Sequence, residues 1–360
     1  MERIKEKFYY KDLFINLLIS FFLSHVFYKI TFIDRVFDEF LLINQINSGN
    51  IESNQFFVES PVFTILGLIL NINDFDIYLL FVYMISVFFL LLIVLNIKFL
   101  EKYSSLFLLS GWLITTSWFM GHVDILSVLL IVLITKNLQR NEGNKISLLI
   151  LYLILTVNHN ALSFVCFFIF LVLIENSKKI TFAIYSFGGQ VIGNALISFY
   201  LNRFNFSGRG RLRFVFNENV ILDSVNFVSN NIIALLWSGF LGFSLILLLF
   251  SSTSSWSVNR NIFSSLIIAL FFTSIALDTS RIFSLSVIPI TLFTIKALNE
   301  SQFIQKNLPY IYIFSFLSTL AIGPYHIYGK VHKISPHQTI ESFYNFIPRI
   351  VNSLMSNVWN

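Results

Sequence analysis

The chain has 360 residues, of which 56% are apolar and only 12% are charged, and phenylalanine alone occurs 43 times. A soluble domain has no interior large enough for this much apolar surface, so the composition excludes one and predicts a polytopic membrane protein. The net charge of +5 comes from cations spread over short loops, which favours membrane topology over a nucleic-acid partner as its cause.

Apolar stretches near the length that crosses a bilayer, about 20 residues, predict the transmembrane helices. We expect an all-α fold, a polytopic bundle of about 11 spans that forms a single transmembrane domain over 1–360. The predicted spans are 12–33, 75–97, 103–119, 122–136, 145–158, 160–175, 180–201, 232–252, 261–277, 281–298 and 308–326. The apolar segment 61–73 is too short to span, and we expect it to be re-entrant or interfacial. The start, MERIKEKFYYKDLF, leads into an apolar stretch without a small-residue cleavage site, which predicts a retained first span.

Cationic turns between these spans all fall on one side of the membrane, which the positive-inside rule makes the cytoplasm. They contain Arg3, Lys5, Lys7, Lys11, Lys98, Lys102, Lys136, Arg140, Lys145, Lys178, Lys179, Arg260, Lys296 and Lys306. The other side receives the first outer loop 34–60, the long loop 202–231 and the tail 327–360. The Ile-, Phe-, Lys- and Asn-rich usage favours a bacterium, so we expect an inner-membrane protein with a cytoplasmic N-terminus and an outward-facing site.

The first outer loop, 34–60, predicts a short amphipathic helix at the membrane interface. Apolar residues recur at helical spacing after Asp34, at Phe37, Leu41, Leu42 and Ile46. Two interpretations of Asp34, Asp38 and Glu39 stay open. Their carboxylates suit a helix N-terminus, and one of them also suits a general base or a ligand for a phosphate-bound divalent cation, Mg²⁺ or Mn²⁺.

Two apolar runs, 103–135 and 145–175, are too long for one helix and too short for two full crossings. They predict two shallow hairpins whose turns, near His122 and His159, lie below the outer surface and line a water-filled cavity. Asp124 follows the first turn, where a carboxylate either caps the descending helix or contacts sugar and acceptor hydroxyls together with His122.

The long loop 202–231 carries the sequence RFNFSGRGRLRF on the side where cations are scarce. Its arginines present planar forks that suit phosphate oxygens, and we expect a phosphate or diphosphate clamp, with lipid-headgroup contact as the alternative. These arginines are Arg203, Arg209, Arg211 and Arg213.

A later outer turn, DTSRIFSLSVIP, places Asp278 and Arg281 three residues apart. Either the two side chains pair on one helix face, or Asp278 orients Arg281 toward an anionic substrate.

Three histidines also fall at outer turns, at His122, His159 and His326. No HxxxH or HExxH spacing supports a zinc site at these histidines, and polar caps on turns are the commoner explanation for each of them. Cys166 lies in an apolar span, where packing explains it.

The order of these elements resembles the GT-C class of integral-membrane glycosyltransferases. The similar stretches are DRVFDEFLLINQINSG after the first span, the short SPVF segment, GHVDILSVLLIVLI, and DTSRIFSLSVIP. The resemblance implies an inverting enzyme that transfers a hexosyl or pentosyl group from a polyprenyl-phosphate-linked donor. It also implies that an acidic residue of the first outer loop is the base. Asp34 fits that position best and Asp38 second, and the sequence departs from the pattern of the larger members of the class, which carry a sizeable soluble C-terminal domain.

We therefore predict a membrane glycosyltransferase whose partners are the polyprenyl-phosphate-linked donor, a glycan or lipid-linked acceptor, and membrane lipids. Two alternatives stay open. An O-antigen- or capsule-type polysaccharide polymerase explains the arginine-rich loop equally well and the acidic helix less well. A lipid-linked glycan transporter or flippase predicts inverted repeats and Gly- or Pro-broken helices, and no such repeat is visible.

Overall fold

The structure is a computed structural model that describes most of the chain. It covers residues 2–27, 34–49, 60–118, 124–140, 143–204, 206, 218–274, 279–298, 301–323, 325–328, 330–333 and 348. These residues are helical apart from turns, short connections and one antiparallel hairpin, which confirms the all-α fold class.

The described helices and strands occur in the following order. The first half contains α1 (Glu2–Phe21), a π-helix (Phe22–Phe27), α2 (Asp34–Ser48), α3 (Val62–Ile69), α4 (Phe75–Asn96), a 3₁₀ segment (Ile97–Tyr103), α5 (Ser104–Leu108), α6 (Gly111–Trp118), α7 (Asp124–Leu138), α8 (Lys145–Asn158) and α9 (Asn160–Leu173). The second half contains α10 (Asn176–Arg203), α11 (Glu218–Asn230), α12 (Ile232–Phe240), α13 (Phe243–Thr253), α14 (Trp256–Thr273), α15 (Thr279–Ser286), α16 (Ile288–Ala297), α17 (Gln302–Ile322), β1 (Tyr325–Tyr328) and β2 (Lys330–Lys333).

Helix length corrects the predicted number of spans. Among the described residues, two helical stretches are long and apolar enough to cross a membrane, Phe75–Leu108 and Asn176–Arg203. Two bent helix pairs raise the number to four if each pair is one span. About 11 full crossings are therefore not supported, although every predicted segment contains helix. Hydropathy does not show where a helix breaks, because the apolar run continues on both sides of the break.

Two breaks illustrate this point. The predicted span 103–119 is divided at Leu109 and Ser110, where the Trp112 indole Nε1 donates a 2.9 Å hydrogen bond to the Phe107 carbonyl. The predicted span 232–252 is divided at Leu241, whose φ of 45° ends α12, and α13 leaves at an angle of 98°.

The long helix α10 shows how the bundle is assembled. Its outer face exposes large apolar side chains such as Ile184 and Phe199, the surface that a lipid-facing helix presents. Its inner face lies directly on α8, because a Cβ atom at Gly189 would come within 2.5 Å of the Leu149 carbonyl oxygen. Small residues at this contact let the two backbones approach closely, as in membrane helix pairs.

Helix α7 lies at the centre, with twelve of its fifteen residues buried. It contacts α4, α8 and α16. Beside it, α8 and α9 have 14 residues each and form a helical hairpin around His159. At about 1.5 Å per residue each helix is about 21 Å long, shorter than a hydrocarbon core of about 30 Å. The chain therefore has the short hairpin that was predicted at 145–175.

The first outer loop does contain a helix that begins at Asp34, as the spacing predicts, and Leu42 is buried as expected, but the rest of its buried face differs from the prediction. Val36, Phe40 and Ile43 pack against α3 and α4, whereas Phe37 is exposed. The eight-residue α3 confirms that 61–73 contains no full span. Helix α11 also lies inside the predicted loop 202–231, and β1 pairs with β2 at the start of the predicted tail.

Candidate functional site

Three charged or titratable side chains meet where separate helices begin, and we call them the Asp124 cluster: Asp124, His159 and Arg281. Asp124 is the first residue of α7, His159 joins α8 to α9, and Arg281 lies in the first turn of α15. The Arg281 Nη1 atom lies 3.1 Å from Asp124 Oδ2, and His159 Nε2 lies 4.0 Å from Asp124 Oδ1. The start of α7, the turn between α8 and α9 and the start of α15 therefore meet at one place.

This ion pair is almost fully removed from solvent. The Asp124 side chain is 1% exposed and the Arg281 side chain 11%. Burying both charges is costly, and their attraction offsets that cost only with good geometry. Truncating one partner leaves the other charge buried and uncompensated, a loss of about 3–5 kcal/mol in comparable pairs. Asp124 and Arg281 therefore depend on each other.

The His159 ring is held by the helix that follows it. Its Nδ1 atom accepts a 3.4 Å hydrogen bond from the Leu162 backbone N–H, as an N-cap of α9. A neutral imidazole that accepts at Nδ1 carries its proton on Nε2, and Nε2 is the atom that faces Asp124. At 4.0 Å this contact is electrostatic, and it places a proton donor on the side of the carboxylate away from Arg281.

Neighbouring polar contacts fix the same helices. The Asn158 side-chain amide donates to Ser127 Oγ at 2.9 Å, which ties the α8–α9 turn to α7. The hydroxyls of Thr115 and Ser284 lie 3.2 Å apart, which ties α6 to α15. These supports keep the Asp124 cluster rigid, a requirement for electrostatic stabilisation of a developing charge.

A second buried carboxylate lies in the first outer loop. Glu39 is 1% exposed and accepts a 3.1 Å hydrogen bond from the Tyr78 hydroxyl. Its charge also acts on the Tyr200 phenol of α10, whose ring packs against Leu42. Glu39 thus faces inward and links α2 to α4, and a role for it in substrate binding stays a prediction.

The structure places the remaining predicted residues of the described ranges on other elements. Asp34 is the first residue of α2, and Asp38 is half-buried on the same helix. Arg203 is the exposed last residue of α10. His326 lies in β1, in register with His332 of β2.

Five predicted residues lie outside the described residues: His122, Arg209, Arg211, Arg213 and Asp278. The partner that the structure shows for Arg281 is Asp124, 157 positions earlier in the chain, and the sequence reasoning did not pair them. Both residues lie at the outer ends of predicted spans, and this shared position is the sequence signal that could have suggested the pair.

Among the described residues, no group of three or more His, Cys, Asp or Glu side chains has a geometry that could hold a metal ion. The comparisons with known proteins give no relative. No protein-family model matches the chain, and neither a curated protein nor a solved structure is detectably similar to it.

Proposed function

We propose that this chain is a membrane glycosyltransferase that moves a sugar from a polyprenyl-phosphate-linked donor to an acceptor on the extracytoplasmic face. The observation that carries the proposal is the Arg281–Asp124 pair. It supplies a buried guanidinium at the start of α15, fixed by a carboxylate at the start of α7. A guanidinium in a fixed orientation suits phosphate oxygens.

The proposed reaction is a single displacement at the anomeric carbon. The acceptor hydroxyl oxygen forms the new glycosidic bond, and the bond from the anomeric carbon to the phosphate oxygen breaks with its electron pair on the phosphate. The acceptor proton passes to Asp34 or Asp38, the acidic residues of the first outer helix. Arg281 stabilises the departing lipid phosphate, and the product has inverted configuration.

The same proposal implies how the short helices lie in the bilayer. The 14-residue helices α8 and α9 enter the bilayer from the cytoplasmic side and turn back at His159 before they reach the outer surface. The Asp124 cluster then faces a water-filled depression, where a polyprenyl phosphate in the outer leaflet can reach it. The helical segments of the eleven predicted spans are membrane-embedded in this arrangement, several of them without a full crossing.

A matched pair of arginine substitutions tests the proposal. We expect Arg281→Gln to reduce sugar transfer from a polyprenyl-phosphate donor by about 100-fold or more, the effect of removing one transition-state hydrogen-bond donor. Arg260→Gln is the control, because Arg260 is exposed in the first turns of α14. Thermal unfolding of each purified variant shows whether it is folded. A folded Arg281→Gln protein with normal transfer contradicts the proposed role.

One observation favours transport of a lipid-linked glycan as a second candidate. The α12–α13 break resembles the discontinuous helices of transporters, and its Gly242 backbone N–H donates to Thr319 Oγ1 of α17 at 3.1 Å. Proteoliposomes that contain a fluorescent lipid-linked sugar distinguish the candidates. Transfer changes the product's mass, whereas transport moves the intact lipid to the other leaflet.

A further inference from the structure

A small cavity lies beside the Asp124 cluster, at the point where α1 changes into the π-helix. It is lined by residues from four parts of the chain, among them Ser24, His25, Ser86, Thr116, Ser117 and Ile125. The space accommodates about one water molecule, which is also the size of one hydroxyl group of a larger ligand. It is partly open, so the remainder of such a ligand can stay outside.

The π-helix fixes the ring of His25 at this cavity. A π-helix is rare, and single turns of it occur frequently at functional sites. Here the His25 ring stacks on Phe21, with centroids 4.9 Å apart, and meets the Tyr83 ring edge-on at 5.9 Å. The imidazole is therefore held between two aromatic rings, in a membrane-inserted segment where an inert side chain would cost less to bury.

Hydrogen-bond directions give the cavity a chemical character. The Ser24 hydroxyl donates to the Ser20 carbonyl, and the Ser86 hydroxyl donates to the Val82 carbonyl at 2.7 Å. The hydroxyls of Thr116 and Ser117 both donate to the Leu113 carbonyl, at 3.1 and 2.8 Å. Each hydroxyl has used its single proton, so its oxygen offers only acceptor lone pairs to a ligand.

His25 follows the same pattern. Its Nδ1 atom lies 2.6 Å from Ser24 Oγ, whose proton is already donated to Ser20. Nδ1 must therefore be the donor in that contact, so the neutral ring carries its proton on Nδ1. None of the described residues that line the cavity carries a carboxylate, ammonium or guanidinium group, and aliphatic side chains complete the lining. Its polar part consists of acceptors, which suits a hydrogen-bond donor and disfavours a phosphate, because a phosphate itself presents acceptor oxygens.

The cavity and the Asp124 cluster share two helices. Ile125, at the cavity, directly follows Asp124 on α7. Thr116 also lines the cavity, and the hydroxyl of the preceding residue, Thr115, contacts the Ser284 hydroxyl. Ser284 lies one turn after Arg281 on α15. An anion-binding arginine and a pocket for a hydroxyl group therefore lie on adjoining faces of the same scaffold.

We propose that this cavity binds one hydroxyl group of a saccharide, and so serves as a sugar subsite beside Arg281. The proposal rests on the proposed function for its place in the reaction, but the binding itself does not depend on turnover. The sugar hydroxyl donates its proton to the cavity's acceptors, while the sugar ring stays at the cavity mouth. A site that hydrogen-bonds a hydroxyl rejects the analogue that lacks it, because its own polar atoms then stay unpaired.

Ligand-observed saturation-transfer NMR with the full chain in detergent micelles tests this subsite. The probes are methyl hexosides and methyl pentosides, together with their monodeoxy analogues. We expect at least one methyl glycoside to bind, and one of its deoxy analogues to bind about tenfold more weakly or not at all. Failure of the whole panel to bind overturns the proposal, as does equal binding of the parent glycoside and all its deoxy analogues.

Two cavity variants and one control complete the experiment. Ser86→Leu fills the cavity, and Thr116→Val removes one acceptor with little change of volume. The control is Thr135→Val, because Thr135 is equally buried on α7, donates to the Ile131 carbonyl and does not line the cavity. We expect loss of glycoside binding in Ser86→Leu, a loss of about five- to tenfold in Thr116→Val, and none in the control.

The outcomes separate this proposal from the proposed function. Glycoside binding that depends on the cavity, in a protein without transferase activity, supports the subsite and refutes glycosyl transfer. Transferase activity with unchanged KM values for both donor and acceptor in folded Thr116→Val and Ser86→Leu proteins refutes the subsite alone. Unchanged glycoside binding in both cavity variants also refutes it.

Discussion

Neutralising Asp124 is the most informative single change, because the Asp124→Asn side chain keeps an oxygen near Arg281 and loses only the charge. Arg281 is 11% exposed, so water cannot replace the lost charge well. A hydrogen bond to a charged group contributes about 1.5–3 kcal/mol, and we expect Asp124→Asn to lower the free energy of unfolding by about that amount. A mere helix cap predicts almost no change, since asparagine caps as well as aspartate.

A double-mutant cycle isolates the energy of the pair. The variants are Asp124→Asn, Arg281→Gln and their combination, and we expect a coupling energy of about 1–3 kcal/mol between these contacting residues. The matched control is the ion pair of Glu101 and Lys296, whose atoms lie 3.9 Å apart with both side chains well exposed. Solvent screening reduces such surface pairs to about 0–1 kcal/mol.

Reversible unfolding of the purified chain in mixed detergent micelles, followed by circular dichroism, measures both cycles. Sugar transfer from the polyprenyl-phosphate donor is assayed on the same preparations, and we expect folded Asp124→Asn protein to lose most of its activity. A coupling energy no larger than that of the surface pair, together with normal transfer, refutes the argument that Asp124 holds Arg281 for function.

Three further predictions concern other parts of the chain. Asp34→Asn should abolish transfer with donor binding retained. If Asp34→Asn stays active and Asp38→Asn does not, Asp38 is the base. If both variants stay active, the proposed mechanism is wrong. Tyr78→Phe should lower the free energy of unfolding by about 1–3 kcal/mol, because the buried Glu39 carboxylate loses a donor; unchanged stability in chemical denaturation counts against that contact. Replacing the three central loop arginines with glutamine should weaken binding of a polyprenyl-phosphate donor in a flotation assay, and unchanged affinity leaves them as lipid-headgroup contacts. These residues are Arg209, Arg211 and Arg213.

Local patterns in the sequence predicted local structure well. The apolar periodicity after Asp34 gave the first residue of α2, and the polar group around His159 gave the turn between α8 and α9. Both features depend on neighbours within a few residues, which is the range over which helix capping and amphipathic spacing act.

Features that depend on distant contacts were missed. The break at Leu241 exists because α17 packs against Gly242, where a Cβ atom would come within 2.1 Å of the Ser315 carbonyl oxygen. Glu39 faces inward because a tyrosine of α4 supplies its hydrogen bond. Neither partner can be identified from the local sequence.

The candidate site was predicted in its parts and not in its assembly. Asp124, His159 and Arg281 were each singled out by the cost of a polar group at the end of an apolar segment. Their contact depends on how α8, α9 and α15 pack around α7. The spacing of residues along the chain does not predict this packing. His25 was overlooked because one histidine in the first apolar segment gives no periodic signal, and its significance comes from the π-helix around it.

Turnover of a polyprenyl-phosphate-linked sugar by the purified chain in proteoliposomes tests the central claim most directly. We predict release of the free polyprenyl phosphate and formation of a glycosidic bond of inverted configuration, both dependent on a hydroxyl acceptor and both lost in Arg281→Gln but not in Arg260→Gln. Intact donor that only crosses to the other leaflet, or transfer that is indifferent to Arg281, contradicts it.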